Sequence, residues 1–160
     1  LIDNLGGSNW VMINSLIPFL KDGIIGYTGI KVGEIPWSKK GGALYNGETN
    51  LTEILAGTNL KFQINSKKIY VLINQRTSSA GEAALISLKS LHNVKILGKK
   101  TMGAATTNAT IKLKNGDILN LTAGCMMDVK KNIYPIGISP DYELCTEDEI
   151  LNFIKSDIKK

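Results

Sequence analysis

Apolar positions change their period several times along the chain, and each change marks an element. Ile69-Tyr70-Val71-Leu72-Ile73 is apolar without a break, the pattern of a central strand covered on both faces. Beyond it Ala84, Leu85, Leu88 and Leu91 recur at i, i+1, i+4 and i+7, a helical stripe that leaves Ser87 and Lys89 outward. Val94 to Leu97 returns to strand character, so residues 69–97 read as one βαβ unit. Upstream, Leu1-Ile2 has the character of a buried strand end and Asn4 to Ser8 that of a turn. Trp10, Val11, Ile13, Leu16, Ile17 and Leu20 then predict a helix over 9–20, capped by Ser8 or Asn9. Residues 23–33 suggest a glycine-interrupted strand. Residues 34–58, broken by Pro36, Gly41-Gly42 and Asn46-Gly47, read as a long loop with a short helix near Leu51 to Leu55. Residues 60–64 alternate as an edge strand would. Thr107 to Thr122 alternates on both sides of Asn115-Gly116, which predicts a hairpin closed by a type I′ turn. Thr146 to Glu149 forms a capping box, and Ile150, Leu151, Phe153, Ile154 and Ile158 give the helix after it an apolar stripe. The class is α/β: mainly parallel central strands with crossover helices, plus an antiparallel hairpin, in a single domain over 1–160.

Composition adjusts this picture little. Hydrophobic residues make up 43% and charged residues 21%, as in an ordinary folding domain. The net charge of +5 comes from eighteen lysines and one arginine scattered along the chain. Nucleic acid is not an expected partner, because base and phosphate readout favours clustered arginine. Cys125 and Cys145 show no metal-ligand spacing, and no His-rich, Cys-rich or phosphate-loop pattern is present, so neither metal nor cofactor is expected.

Candidate chemistry concentrates at the strand-to-helix junction Thr77-Ser78-Ser79-Ala80-Gly81-Glu82. The first amides of a helix point unsatisfied at that place and its dipole favours negative charge there, so a serine hydroxyl could attack a carbonyl with an oxyanion held beside it. Ser79 to Glu82 also fits a capping box, and cap and nucleophile both remain open. A second glycine turn, Gly6-Gly7, lies between the first strand end and the first helix. Glycine lets bare N–H groups approach a ligand closely. If the two turns are neighbours, amides of Gly6, Gly7 and Ala80 converge as an oxyanion hole. His92 follows the far end of the helix that Ser79 begins, roughly 18 Å away at 1.5 Å per residue, too far to act as its base.

Residues 77–82 resemble the T-A-S-x-x-E segment of the S41 serine peptidases, the carboxyl-terminal processing or tail-specific proteases. Leu1 to Gly7 is similar to the end of that family's D-L-R-x-N-x-G-G strand and turn, with Ile2 where arginine is usual. Gly137-Ile138-Ser139-Pro140-Asp141 is similar to its G-[IV]-x-P-D signature. The Ser-Lys branch carries its base in G-K-G-x-x-Q, where this chain has Ala104 for the lysine and Asn108 for the glutamine. The tricorn-like and nisin-resistance-type branch, which uses a histidine from the N-terminal part of the domain, is the better match. Tyr134 stands near the position of a tricorn-type glutamate.

The resemblance implies a ClpP/crotonase-like fold. It also implies acyl transfer on Ser79, an oxyanion hole from Gly6, Gly7 and Ala80, and Asn108 orienting the absent histidine. The chain opens on Leu1 without a methionine and is expected to be the C-terminal, nucleophile-bearing part of a longer catalytic domain, inactive alone. Expected partners are a peptide or protein substrate and that N-terminal portion, with membrane association through an absent segment and an extracytoplasmic location. Two alternatives stand beside this: a crotonase-like acyl-CoA enzyme, and a non-catalytic domain that binds peptide C-termini.

Overall fold

The computed structural model describes residues 1–55 and 63–159. The element order is α1 (Asn9–Ser15), β1 (Gly23–Ile30), β2 (Gly33–Lys40), β3 (Ala43–Asn46), β4 (Thr49–Asn50), α2 (Leu51–Ile54), β5 (Ile69–Ile73), α3 (Ala80–Leu88), β6 (Val94–Gly98), β7 (Thr106–Lys112), β8 (Ile118–Met127), β9 (Tyr142–Glu143) and α4 (Glu147–Ile158). The strands form two sheets. A six-stranded antiparallel sheet runs β4-β3-β2-β1-β8-β7, and a three-stranded parallel sheet runs β5-β6-β9. The α/β class expected from the sequence is observed, with the antiparallel strands in the larger share.

The predicted βαβ unit is present: β5 pairs in parallel with β6, with α3 between them in sequence. β5 lies at the end of its sheet, not at the centre that its apolar run suggested, and its burial is accordingly mixed. The helix is the more enclosed partner. All nine residues of α3 are buried, Ser87 included, because α1 and β1 pack against it. The outward position expected for Ser87 is therefore wrong, and its hydroxyl instead donates to the carbonyl of Ala83 at 3.1 Å. A helix buried on all sides is a core helix, and its Leu85 and Ile86 join Ile13, Ile17, Trp37 and Ile96 in the hydrophobic core.

Residues 34–50, expected to be loop, form β2, β3 and β4. Gly41 and Gly42 close the β2–β3 hairpin, and Lys40 pairs with Ala43. Pro36 and the glycines had suggested loop, yet Pro36 sits within β2 and the glycines lie between strands; the surprise inside β2 is Lys39. Here it is buried, its amine donating at 2.7 Å to the carbonyl of Leu20 and to Gln63 and lying 3.4 Å from Asp22. The first helix is shorter than expected, and Leu1-Ile2 lies in a turn instead of a strand. Of the strand expected at 60–64, residues 60–62 lie outside the described residues, and Gln63 and Ile64 have no strand pairing.

The β7–β8 hairpin is where the alternation placed it, but the turn differs. Leu113 N–H donates to Asp117 O at 2.8 Å and Gly116 N–H to Leu113 O at 3.0 Å, and of Asn115 and Gly116 only the glycine has positive φ. A longer loop replaces the predicted type I′ pair, whose two central residues both need φ > 0. At the C-terminus the Thr146–Glu149 capping box starts α4 as expected. That helix is fastened through Asp157 to β5 and β6, two of the three parallel strands. Its carboxylate accepts from Lys95 Nζ and Tyr70 Oη, each at 2.7 Å, with Lys68 Nζ at 3.6 Å.

Candidate active site

Ser79 occupies the turn between the carboxyl end of β5 and the start of α3, with φ +50° and ψ −111°. That backbone is strained for a residue with a side chain, and several contacts hold it there. Ser79 N–H donates to the Glu82 carboxylate at 3.0 Å, and Ser79 and Glu82 stand in the predicted capping-box arrangement. Glu82 does more than cap. Fully buried, it also accepts from Thr101 Oγ1 at 2.6 Å and from the amides of Gly103 at 2.9 Å and Ala104 at 2.7 Å. The Thr101 hydroxyl in turn accepts from Ile138 N–H at 2.7 Å. One carboxylate thus ties the serine turn to the 101–104 turn and, through Thr101, to the Gly137–Asp141 segment.

The N-terminal turn meets the same place. Ser78 N–H donates to Asn4 O at 2.9 Å, Thr77 Oγ1 to Leu1 O at 2.9 Å, and Asn74 Nδ2 to Asp3 Oδ1 at 3.0 Å. The approach is closest at Gly6, where a Cβ would sit 3.0 Å from Ser79 Cβ at a φ of +113°, so only glycine fits. The convergence expected of the two turns is present. The three proposed oxyanion donors are not equivalent, however: Gly6 N–H donates to Asn4 Oδ1 at 3.0 Å and is already engaged. The amides of Gly7 and Ala80 have no acceptor among the described residues.

Gly7, Ser79 and Ala80 open on a cleft of about 270 Å³ lined also by Asn9, Trp10, Thr106, Thr107, Asn108 and Met126. Asn108, singled out by sequence, is among them. Trp10, Thr106, Thr107 and Met126 carried no sequence signal of a site, since each reads as an ordinary core or strand residue. No histidine, lysine or carboxylate lines this cleft among the described residues. His92 lines a separate depression with Lys21 and Asn65, as its distance along α3 required. Ala104 stands beside the serine turn, but its methyl offers no base. Tyr134 is not part of the cleft either. Burial and its 2.5 Å hydrogen bond to Asp128 push its hydroxyl far above the ordinary tyrosine range, so it stays protonated. Burial alone would raise the Asp128 carboxyl. The bonds it accepts from Tyr134, Asn132 and the amides of Asn132 and Lys130 outweigh that and hold it below the usual range.

This geometry can be set beside known proteins. The family model for peptidase family S41 matches residues 1–144. The chain belongs to that family. It is 33% identical over 162 aligned residues to a nisin-resistance protein of Lactococcus lactis subsp. lactis, covering 98% of this S41 chain and 48% of the relative. A lipoprotein structure from Streptococcus agalactiae superposes with a TM-score of 0.75 at 28% identity, over 99% of this chain and 52% of that one. A photosystem II D1 C-terminal processing protease shares the fold, with a TM-score of 0.69 at 20% identity over 91% of this chain and 33% of its own. The S41 chain therefore spans about half the length of the nisin-resistance protein and of the lipoprotein. Both the S41 resemblance carried by Thr77–Glu82, Leu1–Gly7 and Gly137–Asp141 and the nisin-resistance branch suggested by Ala104 accord with these matches.

Proposed function

We propose that this S41 peptidase domain cleaves peptide bonds through an acyl-enzyme on Ser79. The observation that carries the reading is the packing of the Gly6-Gly7 turn against Ser79 at the head of α3, which sets two unengaged amides beside one hydroxyl. Ser79 Oγ attacks the scissile carbonyl carbon, and its proton passes to a base. Gly7 and Ala80 N–H groups hold the negative oxygen of the tetrahedral intermediate, in the way paired backbone donors do where water is excluded. Collapse breaks the C–N bond, the base returns the proton to the departing amine, and water hydrolyses the ester by the same route reversed.

A serine hydroxyl needs such a base. We assign it to a histidine on polypeptide outside these 160 residues, oriented by Asn108, which faces the cleft. Relatives about twice as long support this, and it makes the fragment inactive alone. Substrates are peptides or proteins cut near their C-termini, and the site of action is extracytoplasmic; both extend from the family and from a lipoprotein relative. A fluorophosphonate probe tests the reading. It should label Ser79 in the longer protein, fail with Ser79→Ala, and react far more slowly with the 160-residue chain. Absence of label from the longer protein, together with retained binding of peptides, would move the assignment to the non-catalytic alternative.

A further inference from the structure

We infer that Asn4 is a positioning residue of this site: it fixes the Gly6-Gly7 turn so that the Gly7 amide, and not the Gly6 amide, faces the reacting carbonyl. Two glycines in succession leave a turn with many accessible backbone conformers. Gly6 and Gly7 adopt φ of +113° and +132°, one choice among those many, so neighbours must impose it. Asn4 supplies the contacts. Its Oδ1 accepts the Gly6 N–H at 3.0 Å, an Asx turn closed on the residue two positions on. Its main-chain oxygen accepts the Ser78 N–H at 2.9 Å, one residue before the nucleophile. A Cβ at Gly81 would lie 3.2 Å from that main-chain oxygen and 3.3 Å from Oδ1, so Asn4 rests against the first turn of α3. One residue therefore spans the two turns that present the Gly7 and Ala80 amides.

What Asn4 holds is a hinge. The peptide unit between Gly6 and Gly7 carries the Gly7 N–H, and it swings about the two backbone single bonds at the Gly6 Cα. Asn4 pins the Gly6 nitrogen through its hydrogen. On the other side Ser79 Cβ fills the space beside the Gly6 Cα, where an added methyl would come within 3.0 Å of it. Rotation about the Gly6 N–Cα bond is then blocked at both ends, and the Gly7 N–H keeps a single direction. Remove the acceptor, and the Gly6 amide is free to seek a partner in the cleft, carrying the Gly7 amide out of line. A donor already aimed costs no reorganisation as charge develops, whereas one that samples several directions does. Asn4 does not line the cleft with Ser79 and acts only through Gly6 and Ser78. The inference rests on the peptidase reading and adds to it the residue that selects two donors from three candidate amides.

The test uses the longer protein, a fluorophosphonate probe, and the variants Asn4→Ala, Asn4→Ser and Gly81→Ala. In Asn4→Ala the labelling rate at saturating probe should fall about tenfold or more. The probe concentration that gives half the maximal rate should change by about twofold at most, because the phosphoryl oxygen draws on the hole only as the covalent bond forms. Every molecule should still label in time; a merely destabilised protein would instead lose a labelled fraction and keep the rate of the rest. Asn4→Ser, whose hydroxyl closes the same turn more weakly, should fall between alanine and wild type. Gly81→Ala keeps all the hydrogen-bonding groups and favours helix, and its methyl presses on Asn4; it should slow labelling about two- to threefold, and it carries the test where Asn4→Ala does not fold. In a Ser79→Cys background, alkylation of position 79 by iodoacetamide passes through no oxyanion and should be unchanged by Asn4→Ala. Equal labelling rates in wild type and the variants, or alkylation that slows in step with labelling, would overturn the inference and leave the peptidase standing. A wild-type protein that takes no label at Ser79 would overturn the peptidase reading and this inference with it.

Discussion

Glu82 shows how one side chain can be seen in a sequence and still be undervalued. Its spacing from Ser79 marks a capping box, worth about 1 kcal/mol at an exposed helix start. Buried, with donors from Ser79, Thr101, Gly103 and Ala104, it is instead the shared anchor of two turns. Truncation to alanine strands those donors without water, and we expect a loss of about 3 kcal/mol in urea unfolding. Glu82→Gln keeps the shape but turns an NH2 toward N–H groups. It should slow fluorophosphonate labelling of the longer protein more than it lowers the melting temperature, because Ser79 loses the partner that holds its positive φ. Gly6→Ala is a second probe at this scale. A methyl 3.0 Å from Ser79 Cβ, at φ +113°, must displace the serine, and labelling should fall at least tenfold, about 1.4 kcal/mol in activation free energy.

Among elements, α4 owes its anchorage to charge. The Asp157 carboxyl is held down to about 2, first by its hydrogen bond from Lys95, then by that from Tyr70, with burial opposing and Lys68 assisting. A depressed folded pKa stabilises above the unfolded value and is lost as pH falls through the folded one. Acid titration of wild type should therefore show α4 loosening between roughly pH 4 and pH 2, and Asp157→Asn should lose that step while starting less stable; circular dichroism reads both. Sequence alone indicated this helix, through Thr146 and Glu149, but not what it grips, since Lys68, Tyr70 and Lys95 are remote in sequence. The same limit applied to β2 and β3. Nothing local marks Lys39 as buried, since its partners are the carbonyl of Leu20 and Gln63, and the glycines at 41 and 42 read as loop when they form the turn between two strands. The serine turn, α3 and the β7–β8 hairpin were legible because each carries its signal locally: a capping box, a helical stripe, and alternation about Asn115-Gly116. The lining of the cleft was not, since Trp10 and Met126 meet Ser79 only through the fold.

For the whole molecule the contrast is between an enclosed centre and an open periphery. The helix α3 is buried throughout, whereas every residue of the β7–β8 hairpin from Asn108 to Ala123 is exposed. Amide hydrogen exchange should resolve this: protection in α3 limited by global unfolding, and exchange in the distal hairpin faster by orders of magnitude. Uniform protection across both would show that the hairpin is packed in solution. Enclosure of α3 has a further consequence for heat. A serine rooted in the first turn of a helix that has no solvent face lacks any private route to disorder, so its reactivity acts as a thermometer for the entire fold. On warming, the capacity of the longer protein to form a covalent adduct should hold steady and then vanish in one step, at the temperature where near-ultraviolet ellipticity from Trp10 and Trp37 collapses.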